Sequence, residues 1–314
     1  MDINNYHLEP PERPAMSWNL ADCVNDSVNI GSTFSCGQVF RWRRQHDGIW
    51  VGSIGDTVAA LWQPAGYTDH FYWQTFPRAD RWDVVRHYLN LDNNLTALQM
   101  QWCATEPLTA DLFAQHTGLR LLRQPVEECL FSFQCATCNT VTKIERSVEA
   151  LARNYGTRID TPLGEFSLFP DMRTIAGASE IVLRNELWGY RAPRVILLAQ
   201  IIVDRPCCWL NDLINVEYRE AHSALTELPG LGAKLADCVC LFCLDKWEAI
   251  PVDTHVRQLA QRLRMPETSS RSLTPTNYNL IANAYRDRYG AFAGWAQQIL
   301  FYSELRRSRN PLPG

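Results

Sequence analysis

Residues 28–75 carry the period-two pattern of half-buried strands. Phe40 and Trp42 alternate with Arg41, Arg43 and Arg44, and Asp47-Gly48 then offers a two-residue hairpin turn. Ile49 to Ile54 follows, Gly55-Asp56 makes a second turn, and Thr57 to Trp62 and His70 to Trp73 complete a small antiparallel meander with one apolar face. After Pro77 the period becomes helical. Trp82, Val85, Tyr88 and Leu89 recur at threes and fours, with a weaker echo around Leu112 and Gln115. From Pro125 onward nearly every segment reads as helix: Glu127 to Cys135, Val141 to Tyr155, Ser179 to Leu187 and Pro193 to Val203 are separated by Gly, Pro and Asn breaks. Two more helices flank Leu228-Pro229-Gly230-Leu231-Gly232, and Val256, Leu259, Ala260 and Leu263 form an amphipathic stripe. Tyr278 to Tyr289 and Phe292 to Leu305 close the chain, with Arg306 to Gly314 expected to fray. The fold class this predicts is α+β. A small N-terminal antiparallel β-sheet domain with its following helices (residues 1–124) packs on a mostly α-helical body (residues 125–314).

Two domains also suit 314 residues, at about 150 residues each. A hydrophobic fraction of 46% and 34 aromatic side chains supply a sizeable core, which excludes wholesale disorder. No apolar run approaches the roughly 20 residues a membrane span needs, since Cys238 to Leu244 is broken by Asp245 and Lys246. The first 30 residues are acidic and read as no signal peptide, so a soluble intracellular monomer is expected. Eleven cysteines, an odd number, then read as reduced thiols. The net charge of −4 argues against a polyanion partner, but its distribution argues for one. From Thr254 onward nine Arg face three acids (Glu267, Asp287, Glu304), leaving +6 there and −10 on the rest.

The stretch from Leu225 to Arg262 carries the candidate chemistry. Pro229-Gly230-Leu231-Gly232 makes a tight turn between two helices, with backbone N–H groups at a helix N-terminus that suit a phosphate. An ordinary helix–turn–helix corner is the bland alternative. Lys234 falls in the first turn of the second helix, where the macrodipole disfavours a cation. A positive helix end and partial burial are expected to lower its pKa and free the lone pair for attack on carbon. The choice of residue is informative, because 27 of the 30 basic residues are Arg and only Lys143, Lys234 and Lys246 are Lys. Arg cannot lose its proton, whereas Lys can. Asp253, in Ile250-Pro251-Val252-Asp253-Thr254-His255, is a favoured N-cap for the next helix, and a capping carboxylate beside a cleft can also stabilise a nearby cation.

The run Leu228-Pro229-Gly230-Leu231-Gly232-Ala233-Lys234-Leu235-Ala236-Asp237-Cys238, followed by Pro251-Val252-Asp253-Thr254-His255, resembles the helix-hairpin-helix, Gly/Pro-rich, Asp signature of DNA glycosylases. From about residue 18 to residue 309 the chain is similar to 8-oxoguanine DNA glycosylase/AP lyases of the eukaryotic type. Cys36-Gly37-Gln38-Val39-Phe40-Arg41-Trp42, Arg120-Leu121-Leu122-Arg123-Gln124, Glu128-Cys129-Leu130-Phe131-Ser132-Phe133, Gly189-Tyr190-Arg191-Ala192 and Ala293-Gly294-Trp295-Ala296-Gln297 carry that likeness. It implies base flipping from duplex DNA, attack by Lys234 on the sugar carbon bearing the base, a Schiff base, and strand nicking by β-elimination. Asp253 would stabilise the oxocarbenium-like sugar. The Gly37 carbonyl would accept from the N7–H of the oxidised purine, Gln297 would read its Watson–Crick edge, and Cys238 and Phe301 would sandwich it. Tyr190 and Arg191 would enter the duplex and meet the opposite cytosine, His255 would meet a phosphate, and Gly230 and Gly232 would bring the hairpin onto the backbone. The chain departs from the family in Cys138-Asn139-Thr140, where a run of asparagines is usual, and in Lys143, where an Arg helps read cytosine. Lys143 cannot make the planar bidentate contact, so weakened discrimination for cytosine is expected.

No cofactor or metal is expected. Cys135-x-x-Cys138 and Cys240-x-x-Cys243 fall in helical, apolar surroundings where Cys acts as a small hydrophobe. Related glycosylases hold an iron–sulfur cluster on four cysteines after the Asp, and this chain has none beyond Cys243. Two other readings fit parts of the sequence. A monofunctional glycosylase of the same superfamily uses the Asp with water and lacks the Lys. A non-catalytic DNA-binding module explains the glycines but not Lys234 and Asp253 together. The expected partner is double-stranded DNA bearing 8-oxoguanine, preferably opposite cytosine. The compartment is that of the chromosome, the nucleus or mitochondrion of a eukaryote or the cytoplasm and nucleoid of a bacterium.

Overall fold

The computed structural model describes residues 9–10, 16–136, 139–265 and 273–309. Strands β1 (Asn19–Asp22), β2 (Arg43–Arg44), β3 (Trp50–Ile54), β4 (Thr57–Trp62) and β5 (His70–Phe76) form one antiparallel sheet in the order β1-β5-β4-β3-β2. The two expected turns join β2 to β3 and β3 to β4. The stretch read as strands also contains a helix, α1 (Ile30–Ser35), because the Asn29 side chain accepts the Ser32 N–H at 2.9 Å and caps a turn there. The alternation from Phe40 to Arg44 yields only two residues of strand. Trp42 leaves the ladder to stack on Phe34 at 4.0 Å and to donate its indole N–H to the Tyr88 hydroxyl at 2.8 Å.

The sheet has two covered faces, not one. Ala59, Leu61, Phe71 and Trp73 pack on Ile30 and Phe34 and on Val85 and Tyr88 of α2 (Trp82–Tyr88). On the other face Ile49, Val51, Val58, Ala60 and Trp62 are covered by Ile159, Leu163, Phe166 and Leu168. These come from a hairpin, β6 (Arg158–Thr161) and β7 (Gly164–Ser167), inside the segment expected to be helical. Its strands are four residues long, with Ile159 opposite Phe166, too short to print a period on the sequence.

After α2 come α3 (Leu95–Thr105) and α4 (Ala110–Ala114), then the body helices α5 (Val126–Ala136) and α6 (Val141–Tyr155). Beyond the hairpin lie α7 (Met172–Ala176), α8 (Glu180–Leu183), α9 (Ala192–Val203) and α10 (Trp209–Asp212). The last five are α11 (Tyr218–Thr226), α12 (Ala233–Cys243), α13 (Thr254–Arg262), α14 (Pro275–Tyr289) and α15 (Ala293–Arg309). Helix α15 runs past Leu305 through the arginines expected to fray, because it packs on α13 and α14 and Arg262 of α13 pairs with Glu304. At Gly294 a Cβ would lie 2.4 Å from the Ala249 carbonyl, so only glycine lets α15 approach the loop before Asp253 this closely. No described helix is long and apolar enough to cross a membrane.

One core joins both parts of the chain, with Cys36, Phe40, Trp102 and Phe113 packed among body residues such as Phe131, Leu241 and Trp295. Buried arginines add polar ties. Arg41 reaches Glu128 and Glu149 at 3.2 Å, Ser53 Oγ at 2.8 Å and the Ser167 carbonyl. Arg120 pairs with Asp26 at 2.8 Å and donates to the carbonyls of Ser27, Leu89 and Asn90. Its guanidinium also lies 5.5 Å from the centre of the Trp295 ring on α15. Removing one partner of a buried, hydrogen-bonded ion pair costs about 3–5 kcal/mol. Arg120→Ala is therefore expected to lose that much in urea denaturation, and Arg120→Lys to recover only part, because an ammonium cannot reproduce the five-donor fork. A loss below about 1 kcal/mol would remove Arg120 from the account of the fold.

Candidate active site

Helix α11 ends before the turn, Leu228 and Leu231 pin the turn into the core, and Gly230 takes φ +84. Gly232 caps α12 from an extended conformation, so the sequence-predicted hairpin is present. Gly230, Gly232 and Ala136 line an open groove of about 560 Å³. Lys234 and Asp253 line that groove too, and they also line a second, closer cavity of about 50 Å³ on the other side. They thus stand in the wall between groove and pocket.

The smaller cavity gathers residues from across the chain: Gly37, Lys234, Cys238, Asp253, Gln297 and Phe301. Cys238 follows Lys234 by four positions, which stacks both side chains on one face of α12. Gln297 and Phe301 repeat that spacing on α15. Gly37 takes φ +82, and its neighbours on both sides are locked. The Cys36 carbonyl accepts from Gln298 Nε2 at 3.0 Å. Gln38 donates to the Thr33 and Arg120 carbonyls at 2.9 Å and accepts the Leu122 N–H at 3.0 Å. The segment that carries Gly37 is thereby fixed against α15.

Asp253 caps α13 as its position suggests, accepting the Val256 N–H at 2.9 Å. The preceding loop is held by Tyr278, whose hydroxyl accepts the Val252 N–H at 3.3 Å and lies 3.1 Å from the Ile250 carbonyl. That hydroxyl also bonds the buried Asp237, which takes a further hydrogen bond from Tyr218 at 2.6 Å. Burial pushes Asp237 above the usual carboxylate range. The Lys234 ammonium lies 5.5 Å from the centre of the Phe133 ring, which stacks on Phe242.

The expected fall in the Lys234 pKa is not what the surroundings produce. Burial is the largest influence and pulls it down, but Cys238 and Asp253 together outweigh burial and hold it above the ordinary lysine value. The Cys238 part needs a thiolate, and burial pushes that thiol up to about 12. Near neutral pH Asp253 is therefore the charge that opposes burial. In the free protein Lys234 is an ammonium beside the Asp253 carboxylate, and an ammonium has a lone pair to offer only after handing on a proton.

Two buried polar groups here lack partners. The Gln297 Oε1 atom accepts no hydrogen bond although the side chain is 2% exposed, and His255 Nδ1 is likewise unpartnered. Leaving such an atom buried costs about 1–3 kcal/mol, which a bound donor would offset.

The remaining expected residues lie outside the small cavity. Asn139 folds back on Cys135 and accepts the Thr140 N–H, and Lys143 is exposed on α6. Tyr190 is 60% exposed with the Arg191 guanidinium 4.5 Å from its ring centre. They follow a strained turn with Leu187 at φ +71, anchored by Trp188, whose indole donates to the Ser147 carbonyl of α6. Cys138 lies outside the described residues. Among the described residues no group of three or more His, Cys, Asp or Glu could hold a metal. The Cys243 thiol donates to the Val239 carbonyl one turn back. Sequence reasoning missed Phe133, Phe242 and Tyr278, and also Gln134, whose amide has no partner on either atom and lies beneath Gly230. A lone Asp237 within the apolar run Leu235 to Leu244 was the signal that could have pointed to Tyr278.

Residues 22–130 match the family model for the N-terminal domain of 8-oxoguanine DNA glycosylase, and residues 132–280 match the HhH-GPD superfamily of base excision DNA repair proteins. The N-glycosylase/DNA lyase OGG1 of Arabidopsis thaliana is 32% identical over 317 residues, covering 95% of this chain and 86% of its own. The N-glycosylase/DNA lyase of Saccharomyces cerevisiae is 30% identical over 246 residues, covering 69% and 65%. Among solved structures, Clostridium acetobutylicum 8-oxoguanine glycosylase/lyase bound to duplex DNA with cytosine opposite 8-oxoG superposes with a TM-score of 0.79. Its identity is 23%, and the match covers 91% of this chain and 97% of that one. A 3-methyladenine DNA glycosylase from Archaeoglobus fulgidus, at 20% identity, reaches 0.72 over 94% and 99%. Likeness at such identities speaks for the fold, an α+β arrangement of small antiparallel sheet and helical body.

Proposed function

The chain belongs to the 8-oxoguanine DNA glycosylase/DNA lyase family of the helix-hairpin-helix superfamily, and from that membership we propose which residues perform the reaction and how. It is a bifunctional enzyme of DNA base excision repair, an N-glycosylase for 8-oxoguanine and a DNA lyase. The observation that supports the site assignment is that Lys234 and Asp253 line both a small pocket and the neighbouring open groove. A base in the pocket and its backbone in the groove put the sugar between them, at these two side chains.

Lys234 gives up its proton and its nitrogen bonds to the sugar carbon that bears the base. The glycosidic bond breaks, and the base leaves with the bonding electrons and takes a proton. Asp253 stabilises the positive charge that grows on the sugar during this step. The sugar ring then opens: the nitrogen lone pair forms the C=N bond as the bond from that carbon to the ring oxygen breaks, and the freed oxygen takes a proton from the nitrogen's side. The resulting protonated imine acidifies the neighbouring sugar C–H; loss of that proton forms a C=C bond as the 3′ C–O bond breaks, which expels the 3′ phosphate and nicks the strand. In the pocket Gly37 accepts from the N7–H of the oxidised purine, Gln297 accepts from its Watson–Crick edge, and Cys238 and Phe301 take its two faces. The unpartnered Gln297 oxygen supports this reading, as an acceptor already desolvated. Gly230, Gly232 and His255 meet the backbone, while Asn139, Lys143, Tyr190 and Arg191 meet the duplex and the opposite base. Borohydride trapping on a duplex with 8-oxoguanine opposite cytosine tests this directly, since three lysines make the adduct easy to map. An adduct at Lys234 is expected. Base release without an adduct would mean a water-using enzyme centred on Asp253.

Cytosine is the preferred opposite base, but the preference is shallow. A good bidentate contact is worth about 1–3 kcal/mol of discrimination, and Lys143 forgoes it. Single-turnover rates opposite each base are expected to rise roughly tenfold in cytosine selectivity when Lys143 is changed to Arg. An unchanged selectivity would mean that other residues read the opposite base.

A further inference from the structure

Cys207 and Cys208 occupy the corner between α9 and α10 with their sulfurs 3.5 Å apart. They are the two exposed cysteines among the described residues, the other eight being buried or half-buried. Cys208 takes φ +66, a left-handed conformation that is costly for a residue with a Cβ. The corner is nevertheless well braced. The Cys208 carbonyl accepts the Asp212 N–H at 2.8 Å, and the Arg205 guanidinium lies 4.0 Å from the Trp209 ring centre. Arg205 also reaches Glu227 at 3.9 Å. A strained residue held in place by its surroundings, with an exposed sulfur beside a second one, is a reason to ask what the pair binds.

We propose that Cys207 and Cys208 form a vicinal dithiol site that chelates one soft, thiophilic centre between its sulfurs, with trivalent arsenicals as the ligand class. Three alternatives fit the pair less well. A disulfide wants Cα atoms about 4.4–6.8 Å apart, whereas consecutive residues hold them near 3.8 Å, so closing the ring adds strain. A structural zinc site wants four ligands, and among the described residues no set of even three is grouped. Simple alkylation would use one sulfur and leave the pairing without consequence. A bridging atom fits the spacing itself. Two bonds of about 2.3 Å, the length of a zinc–thiolate bond, meeting at roughly 100°, span about 3.5 Å.

The reaction needs no oxidant. Both S–H bonds break and two arsenic–sulfur bonds form on the oxide of an aryl arsenical. The arsenic–oxygen bond breaks, and the oxygen leaves as water with both protons. Arsenic stays trivalent throughout.

The test uses the reduced full-length chain, one equivalent of phenylarsine oxide, intact mass, free-thiol titration and peptide mapping. One adduct is expected, with two thiols lost, on the peptide that holds Cys207 and Cys208, surviving a monothiol wash and released by a dithiol. Cys207→Ser and Cys208→Gly should each abolish it, the glycine being at ease at φ +66, with helicity and base-excision activity unchanged. An adduct that persists in either variant, one that maps to Cys135 and Cys138 or any other pair, or no adduct at all would overturn the proposal.

Discussion

Replacing Lys234 with glutamine is expected to lower both base release and strand nicking on the order of 10⁴-fold or more, the scale on which enzymes respond to loss of a nucleophile. Duplex binding should survive, because the hairpin backbone is untouched and glutamine nearly fills the place of the lysine in the groove wall. Lys234→Arg is the sharper control. It keeps the cation beside Asp253 but cannot shed its proton, so it too should be inactive and untrappable. Activity in the Arg variant would show that only the charge matters at this position.

Asp253→Asn separates the cap that this carboxylate makes from the charge-stabilising role proposed for it. Asn caps a helix about as well as Asp, so the Val256 N–H keeps an acceptor and stability should change little. Asp253→Ala should lose about 1 kcal/mol from the missing cap. Both variants remove the negative charge beside the developing sugar cation, and both should slow single-turnover base release roughly 10²–10³-fold. Both also remove the group that opposes burial at Lys234, so residual trapping should reach its plateau at lower pH than in the parent. A fully active Asn variant would reduce Asp253 to a cap.

The hairpin, Lys234 and Asp253 were legible because their signals are local: glycines at a turn, a lysine in a chain that otherwise uses arginine, an aspartate just before an amphipathic stripe. Gly37 and Gln297 are 260 positions apart, and no spacing joins them; only resemblance to a family put them in one pocket. The direction of the Lys234 pKa was misread for a related reason. Helix end and burial can be judged from neighbours in sequence, whereas the opposing carboxylate arrives from a different loop. Helix α1, the β6–β7 hairpin and the Tyr278–Asp237 tie are short or tertiary, and leave no period to read.

The second cover of the N-terminal sheet has a consequence for how the chain is made. A ribosome delivers residues 49–62 well before Ile159 to Leu168, which bury one side of those strands. At about 5–20 residues per second the interval is several seconds, during which Ile49, Val51, Val58, Ala60 and Trp62 have only Met16, Trp18 and Tyr72 against them and lack the rest of their cover. The sheet is thus complete only when the growing polypeptide has passed residue 168, and until then its uncovered face is a surface for chaperones or for self-association.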